Sequence, residues 1–298
     1  MNKKTLKIIL IIFLSILVII LSIFFANILT NKNFRFRYFN FKEHKISKEL
    51  VFNQEYETIF NNIKINSNSS DIEIKKSMES KIKVIIYGDK DEFEVETSDQ
   101  TLDIISSSKK CVGFCFNITI AKIEVYIPSS YEGKINIKNS YGDVNIDSFD
   151  NLILDATLDA GDIDIDSLKS GKIKNSYGNI KIKGHIKDIE IEEDCGDVEI
   201  SEVDRIKLQN NYGDINIKKV NEYLKIEEDC GDIEIDSLNL EENSSIQNNY
   251  GDIKIGLTNK IYIDAKTSLG DNKINNNYQK SDIVLKIDNS CGDIIVDN

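Results

Sequence analysis

The chain has 298 residues, of which 41% are apolar, with a single proline, no tryptophan and a net charge of -13. This charge argues against nucleic acid as a partner, because a phosphate-binding face needs a cluster of Lys and Arg and the repeats contain none. Five cysteines are too few for a disulfide scaffold. The length accommodates one elongated domain and a membrane segment.

Residues 6–29 form an apolar segment of about 24 residues, which is long enough to span a bilayer. The end of the run, Phe24 to Ile28, lacks a small-x-small cleavage site, so the segment is predicted to be an uncleaved signal anchor. Basic residues are nearly equal in number on the two sides of this segment, so they do not decide its orientation. The Ser- and Asn-rich composition of the repeats that follow leads us to expect that the carboxyl-terminal part is exported. The predicted location is therefore the cell membrane, single-pass, with residues 1–5 cytoplasmic and the carboxyl-terminal domain extracellular.

After a juxtamembrane linker at 30–55, residues 56–130 are predicted to form irregular rungs that cap the fold. The first of them resembles the later repeats, with Ser70 where a glycine would stand and Ile72 and Ile74 after it. Terminal units of solenoids are usually atypical because they cover the core. Within this region Cys111 and Cys115 flank a glycine, and we treat them as a candidate disulfide rather than a metal site.

A glycine returns every 17 to 22 residues in the second half of the chain, and aspartate follows it in eight of nine cases. Apolar residues recur two and four positions after the glycines, with Asn272 as the exception, and five positions before them, which is the period of strands with one buried face. Glycine suits a sharp corner between two such strands. The sequence therefore predicts an all-β fold, a single-stranded β-solenoid (β-helix) of about 18–20 residues per coil, over residues 131–298 and preceded by one transmembrane α-helix. The glycines are Gly142, Gly161, Gly178, Gly196, Gly213, Gly231, Gly251, Gly270 and Gly292.

A slower rhythm alternates Tyr with Ala, Cys or Leu at the position before the glycine. It fits a coil of one repeat, in which a large ring packs over a small neighbour, or a coil of two repeats with separate Tyr and Cys ladders. The larger coil would stack the acidic run at 192–194 on that at 227–229, where like charges repel. We therefore favour the small coil, in which Cys195 and Cys230 are small apolar fillers two rungs apart.

The acid after each glycine is interpreted as a corner cap, since Asp or Asn can accept backbone N–H groups there and Asn179 fills one of these places. The alternative is calcium, although the nine-residue calcium-binding repeat with paired glycines is absent. The candidate cation site is the acidic cluster Glu193, Asp194, Glu228 and Asp229, whose other interpretation is a solvated corner. No cofactor is predicted.

Catalysis is not expected, because no nucleophile with a base partner is recognisable among the residues. Arg205 is the only arginine after Arg37, and His44 and His185 are the only histidines. Carboxylates recur so regularly in the repeats that two of them at the separation found in glycosidases would be expected by chance, so such a pair is weak evidence for an enzyme.

The sequence stops directly after the last strand, so an open rung is expected there. Its outward position is Ile295, where other repeats have a polar residue. A contact surface around Cys291 and Ile295, for a partner or for self-association of the carboxyl-terminal rung, is the interaction hypothesis. The alternative is a preceding loop that covers the edge.

The succession INSNSSDIEI, KIKVIIYGDKDEFEV, TLDII and IEVYIPSSYEGKINIKNSYGDVNI is followed by serial GDIxI units, and a family resemblance carried by these segments covers about residues 56–298. This part of the chain resembles the putative-adhesin domain family of bacterial surface proteins, and the layout is similar to that of members encoded with cell-envelope stress systems. The resemblance is specific for the fold and offers no catalytic motif. From the whole sequence we expect a membrane-anchored, non-enzymatic, adhesin-like interaction protein of the cell envelope that contacts a cell-wall polymer or an envelope membrane protein. The competing functions are a calcium-dependent binding module and a glycan-processing β-helix enzyme.

Overall fold

The computed structural model describes residues 45–47, 49–57, 60–106, 119–275 and 277–297. They belong to one compact unit that begins at Lys45. The predicted anchor at 6–29 and the pair Cys111 and Cys115 lie outside the described residues. In the part that is described, no helix is long and apolar enough to cross a membrane.

The described residues form β-strands joined by turns, with one short 3-10 turn at Lys90–Glu92. The strands are β1 (Lys45–Ile46), β2 (Leu50–Tyr56), β3 (Asn62–Ser67), β4 (Ser70–Ser77), β5 (Ile82–Tyr87), β6 (Phe93–Ser98), β7 (Thr101–Ser106), β8 (Thr119–Pro128), β9 (Lys134–Tyr141), β10 (Val144–Ile146), β11 (Ile153–Ala160), β12 (Ile163–Ile165), β13 (Leu168–Tyr177), β14 (Ile180–Cys195), β15 (Val198–Tyr212), β16 (Ile215–Cys230), β17 (Ile233–Leu238), β18 (Ser244–Tyr250), β19 (Ile253–Leu257), β20 (Tyr262–Leu269), β21 (Asn272–Ile274), β22 (Val284–Cys291) and β23 (Ile294–Asp297).

Each repeat contributes one strand before and one strand after its glycine to two stacks of parallel strands. In the first stack Ala156 lies opposite Ile137 and Ile173, and in the second Ile163 lies opposite Val144 and Ile180. The long strands β14, β15 and β16 take part in both stacks. Their inward Ile, Leu and Val side chains are almost fully buried and form one continuous core. The prediction of an all-β solenoid is confirmed.

The coil contains one glycine repeat, because Cys195 lies opposite Tyr177 in one neighbouring rung and opposite Tyr212 in the other. The smaller coil is therefore confirmed and the two-repeat coil is wrong. Neighbouring parallel strands are about 4.8 Å apart, so one rung alone cannot bury its apolar side chains and each depends on the rungs above and below it.

Spatial order departs from chain order at both ends of the stack. At the amino-terminal end β3 lies between β7 and β9, and β4 lies between β8 and β10. The first rung predicted from Ser70, Ile72 and Ile74 is thus the second in space. Antiparallel strands cover the outer rung, since β6 pairs with β7 and β5 with β8.

Strand β2 pairs in turn with β5, although it lies in the segment where the sequence suggests a linker. Its side chains are exposed or only partly buried, so it carries little of the hydrophobic alternation that reveals a strand. The compact unit accordingly begins earlier than expected.

At the carboxyl-terminal end β22 lies between β18 and β20, and β23 lies between β19 and β21. The expectation of an open rung at Cys291 and Ile295 is therefore wrong. Ile295 is opposite Lys254 on one side and Lys273 on the other, so it separates two cations that would otherwise be neighbours. At this end of the stack, β20 and β21 each pair with one described strand, β22 and β23 respectively.

Candidate binding surface

The corner glycines are required by close packing between rungs. A Cβ on Gly213 would overlap the carbonyl oxygen of Gly196 in the preceding rung, and its φ of +136° also favours glycine. Gly196 and Gly231 lack a positive φ, and a Cβ on either would still overlap a glycine carbonyl. Backbone contact, more than the dihedral angle, excludes a side chain at this corner.

A second row of contacts joins the residues that follow these glycines. Each of these backbone N–H groups donates to the side-chain Oδ1 of the equivalent residue one rung away, at 2.8 to 3.1 Å. Asn179 fits the row because its amide oxygen accepts from Asp197 as a carboxylate would. The predicted role of these residues as corner caps is confirmed.

Inside the same corner, a buried asparagine three positions before the glycine accounts for the two-repeat rhythm. Asn175 Nδ2 donates to the carbonyls of Gly161 and Gly178, both at 3.2 Å, and Asn210 does the same for Gly196 and Gly213. One amide thus serves two rungs. The rungs between them are free to carry another residue at this place.

Glu193 and Glu228 occupy two of those intermediate places and are only 2% and 3% exposed. Burial raises the pKa of each carboxyl to about 8, although hydrogen bonds from neighbouring amides oppose the shift. Asn210 lies between them in register, and its Oδ1 atom has no donor among the described residues. Burial is thus the cause that favours the protonated form of both carboxyls.

The four acidic candidates for a cation do not come together. Glu193 and Glu228 point inward, while Asp194 and Asp229 are exposed and accept hydrogen bonds from Asn211 and Asn249 at 2.8 and 2.6 Å. A complete rung separates the two pairs. Within the described ranges, no group of three or more His, Cys, Asp or Glu residues is placed to hold a metal ion.

The outer edge of the corner carries a row of exposed tyrosines, which we call the tyrosine row. Tyr141, Tyr177, Tyr212 and Tyr250 are 60 to 63% exposed, and each is separated from the next by a rung with a small residue. Successive rings are therefore two rungs apart, about 9.5 Å. Insertion of β22 extends the alternation to Cys291 and then to Leu269, which is 70% exposed.

Sequence reasoning identified the alternation in this row but missed its exposure. The guide that the sequence offers is the alternation of inward and outward side chains along a strand, and at this position it misleads. Asn210, two residues before Tyr212, points inward, and a tyrosine in a continuing strand would do the same. The corner changes the direction of the chain and turns the ring outward, which spacing alone does not reveal.

Beside Tyr212 and Tyr250 the sheet surface has a shallow depression of about 100 Å³. It is lined by the amide and carboxylate side chains of Gln209, Asn211, Glu227, Asp229, Gln247 and Asn249. Hydrogen-bonding groups therefore lie on the sheet surface next to two of the exposed rings.

A larger cleft of about 700 Å³ lies near the turns between the two stacks, where Lys169, Lys183 and His185 line it. His185 Nε2 lies 2.9 Å from Asp204 Oδ1. Burial raises the pKa of Asp204, but hydrogen bonds from His185 and Asn221 outweigh it and the net shift is downward. The histidine contacts a carboxylate at the surface, and this contact supplies no nucleophile for it to activate.

A family model described as Toastrack DUF4097 matches the chain twice, over residues 60–184 and 183–297. A crystal structure of a putative lipid binding protein from Parabacteroides distasonis shares 15% identity with a TM-score of 0.53, over 84% of this chain and 98% of that one. Putative adhesins from Bacteroides fragilis and Parabacteroides merdae have 20% and 10% identity and TM-scores of 0.42 and 0.48. The alignments cover 85% of this chain in both cases, and 99% and 98% of those proteins. No curated protein matches the sequence.

Proposed function

The chain belongs to the Toastrack DUF4097 family, and on that premise we propose that it is a non-enzymatic, adhesin-like binding protein of the cell envelope. The observation that supports this function is the tyrosine row. Four rings that are 60 to 63% exposed lie at a regular interval on a stack of rigid strands. Large aromatic side chains left accessible in a regular row offer another molecule several equivalent contacts along one edge.

The stack suits such a role because its side chains are fixed in position. Each corner is held by a backbone-to-side-chain bond to the next rung, as between Asp214 N–H and Asp197 Oδ1 at 2.9 Å. A buried amide adds two further bonds to the same corner. Rings attached to this edge lose little freedom on binding, which lowers the entropic cost of association.

The proposal includes the location. Residues 6–29 anchor the protein in the cell membrane with the amino terminus inside, and the solenoid lies outside, where it meets the cell-wall polymer or a membrane protein of the envelope. The apolar length of this segment supports anchoring. The layout of the sequence supports participation in the response to envelope stress.

Co-sedimentation with purified cell-wall sacculi tests the function directly. The full-length protein in mild detergent is mixed with sacculi, with and without calcium, beside a control protein of equal net charge. We expect the protein to pellet specifically and to an equal extent in both conditions, because its acidic pairs lie on separate rungs. Pelleting no greater than that of the control would contradict the proposal.

The location has its own test. Protease added to intact cells is expected to remove a carboxyl-terminal epitope and leave an amino-terminal one. Survival of the carboxyl-terminal epitope in intact cells, with digestion after lysis, would contradict the proposed orientation.

A further inference from the structure

The spacing of the tyrosine row limits the kind of ligand it can bind. Tyr141, Tyr177, Tyr212 and Tyr250 recur every second rung, at about 9.5 Å, over a total of about 29 Å. A compact ligand would contact one ring, whereas a polymer with a matching period would contact them all. The period of the row therefore points to a linear polymer with a repeat close to the two-rung distance.

An extended β-1,4-linked polysaccharide has such a repeat. Alternate sugars in these chains present the same ring face to the same side, so the equivalent contact returns once per disaccharide. The C–H groups on one face of a pyranose ring pack against the negative face of an aromatic ring, and tyrosine offers that face without a large entropic cost. Four tyrosines would contact alternate sugars of one chain.

The groups beside the row fit the rest of a sugar. The depression next to Tyr212 and Tyr250 is lined by amides and carboxylates, such as Gln209, Asn211 and Gln247, which can donate to or accept from hydroxyl groups. Apolar platforms combined with fixed polar groups are the usual composition of small-molecule and glycan sites.

Charge determines which polysaccharide can approach. The chain has a net charge of -13, and Asp194, Asp229 and the corner aspartates lie close to the row. A polyanion such as a phosphate-linked polymer would be repelled, and the effect is strongest at low salt. The surface favours a chain without charge.

From these observations we infer that the tyrosine row binds an uncharged, extended β-1,4-linked polysaccharide, with one tyrosine for each disaccharide. The inference rests on the proposed function and names the ligand of that surface. About seven sugars are needed to reach all four rings at the two-rung spacing. Affinity should therefore rise with oligosaccharide length up to that size and then level off, since each added platform is an intramolecular contact.

The test measures binding of the full-length protein in mild detergent to β-1,4-linked N-acetylglucosamine oligomers of two to eight sugars by calorimetry. We expect each Tyr→Ala variant in the row to weaken binding of the longest oligomer about 2- to 10-fold. Tyr212→Phe should bind like the wild type, because the ring is retained. Tyr223→Ala is the control, since this tyrosine lies outside the row over Arg205.

A variant with exchanged residues tests the spacing itself. Tyr212→Cys combined with Cys230→Tyr keeps the composition of the row and moves one ring by a single rung. We expect it to bind the longest oligomer at least about fivefold more weakly, with an unchanged unfolding temperature. The sugars of a β-1,3-linked glucan do not alternate in the same way. The wild type should therefore bind such a glucan no more tightly than Tyr212→Ala binds the longest β-1,4-linked oligomer.

The outcomes separate this inference from the proposed function. If the wild type pellets with sacculi but its affinity does not depend on oligomer length, or if the exchanged variant binds as well as the wild type, the inference is wrong and the proposed function stands. If the protein binds neither sacculi nor oligomers, both are wrong.

Discussion

The backbone N–H of Asp293 donates to Asp252 Oδ1 at 2.8 Å, although the two residues are 41 positions apart in the chain. Asp271 lies between them in sequence, yet its N–H donates to Asp293 Oδ1 at 2.9 Å, on the other side. These two bonds define the inserted last rung. They also show that the corner bonds join rungs by position in space, irrespective of chain order.

Replacement of a corner glycine should damage the stack. Gly213→Ala places a Cβ against the carbonyl of Gly196 and forces alanine into a positive φ. We expect a loss of about 3 kcal/mol or more in the free energy of unfolding, because backbone cannot move aside in a packed rung. Urea denaturation followed by circular dichroism measures it.

Gly171→Ala provides the matched control for that experiment. This glycine lies within β13, and a Cβ there would be 3.4 Å from its nearest neighbour, the carbonyl oxygen of Leu154. A change within about 1 kcal/mol of the wild type is expected. Equal losses for the two variants would contradict the corner argument.

Substitutions of Asp214 should distinguish its charge from its hydrogen bond. The Oδ1 atom accepts from Asp232 N–H at 2.9 Å, and Asn179 makes the same bond elsewhere in the row. Asp214→Asn should therefore change stability by less than about 0.5 kcal/mol, and Asp214→Ala should cost about 1 kcal/mol. Thermal unfolding of both variants tests this; a similar loss for both would assign the effect to charge.

Stability should fall as pH rises toward 8 because of Glu228. The folded state raises the pKa of this carboxyl to about 8, so it keeps a proton that the unfolded chain releases at its ordinary, lower pKa. Below the unfolded pKa the contribution is complete, and it is lost as pH rises through the folded pKa. The slope is roughly 1 kcal/mol per pH unit between about pH 5 and 8.

Variants separate this contribution from other titrating groups. Leu158 occupies the equivalent place in another rung and is 1% exposed, so Glu228→Leu should fold, lose its share of the slope and exceed the wild type in stability at pH 8. Glu227→Gln, on the outward side, is the control and should keep the slope. The urea midpoint is measured from pH 5 to 8, and an unaltered slope in Glu228→Leu would refute the assignment.

The residue at position 295 should respond to charge in a predictable direction. Ile295 is opposite Lys254 and Lys273, so Ile295→Glu places an anion between two cations, whereas Ile295→Lys creates three adjacent cations. We expect a gain of about 0.5 kcal/mol for Glu and a similar loss for Lys, both reduced in high salt. Melting temperatures at two salt concentrations check both signs.

The regular part of the fold was predictable because one residue interval repeats. The pairs Val144/Ile146 and Ile163/Ile165 recur at fixed distances from glycine, so their alignment in neighbouring rungs follows from the sequence pattern alone. The capping role of the acids was predictable for the same reason. Both the inward positions and the capping positions are therefore determined by their distance from the glycine in the sequence.

The order of the terminal rungs was not predictable from spacing. The interval between Gly270 and Gly292 is only slightly longer than the others, yet β22 pairs with β18 and β20 on its two sides. A repeat specifies which residues face inward, and any rung of the same pattern can stack on any other. The inward orientation of Glu193, in contrast, does follow from spacing, because this residue lies two positions after the inward Ile191 in the same strand.

Insertion of the last rung affects how the molecule is completed during synthesis. Rungs from β9 to β19 can add in the order in which the ribosome delivers them. Strand β20 has β22 as its partner among the described strands, so its native pairing cannot form until residues 284–297 have emerged. Residues 284–297 separate β18 and β19 from β20 and β21, so a ribosome stalled shortly before them would leave β20 and β21 without their native partners and more accessible to protease.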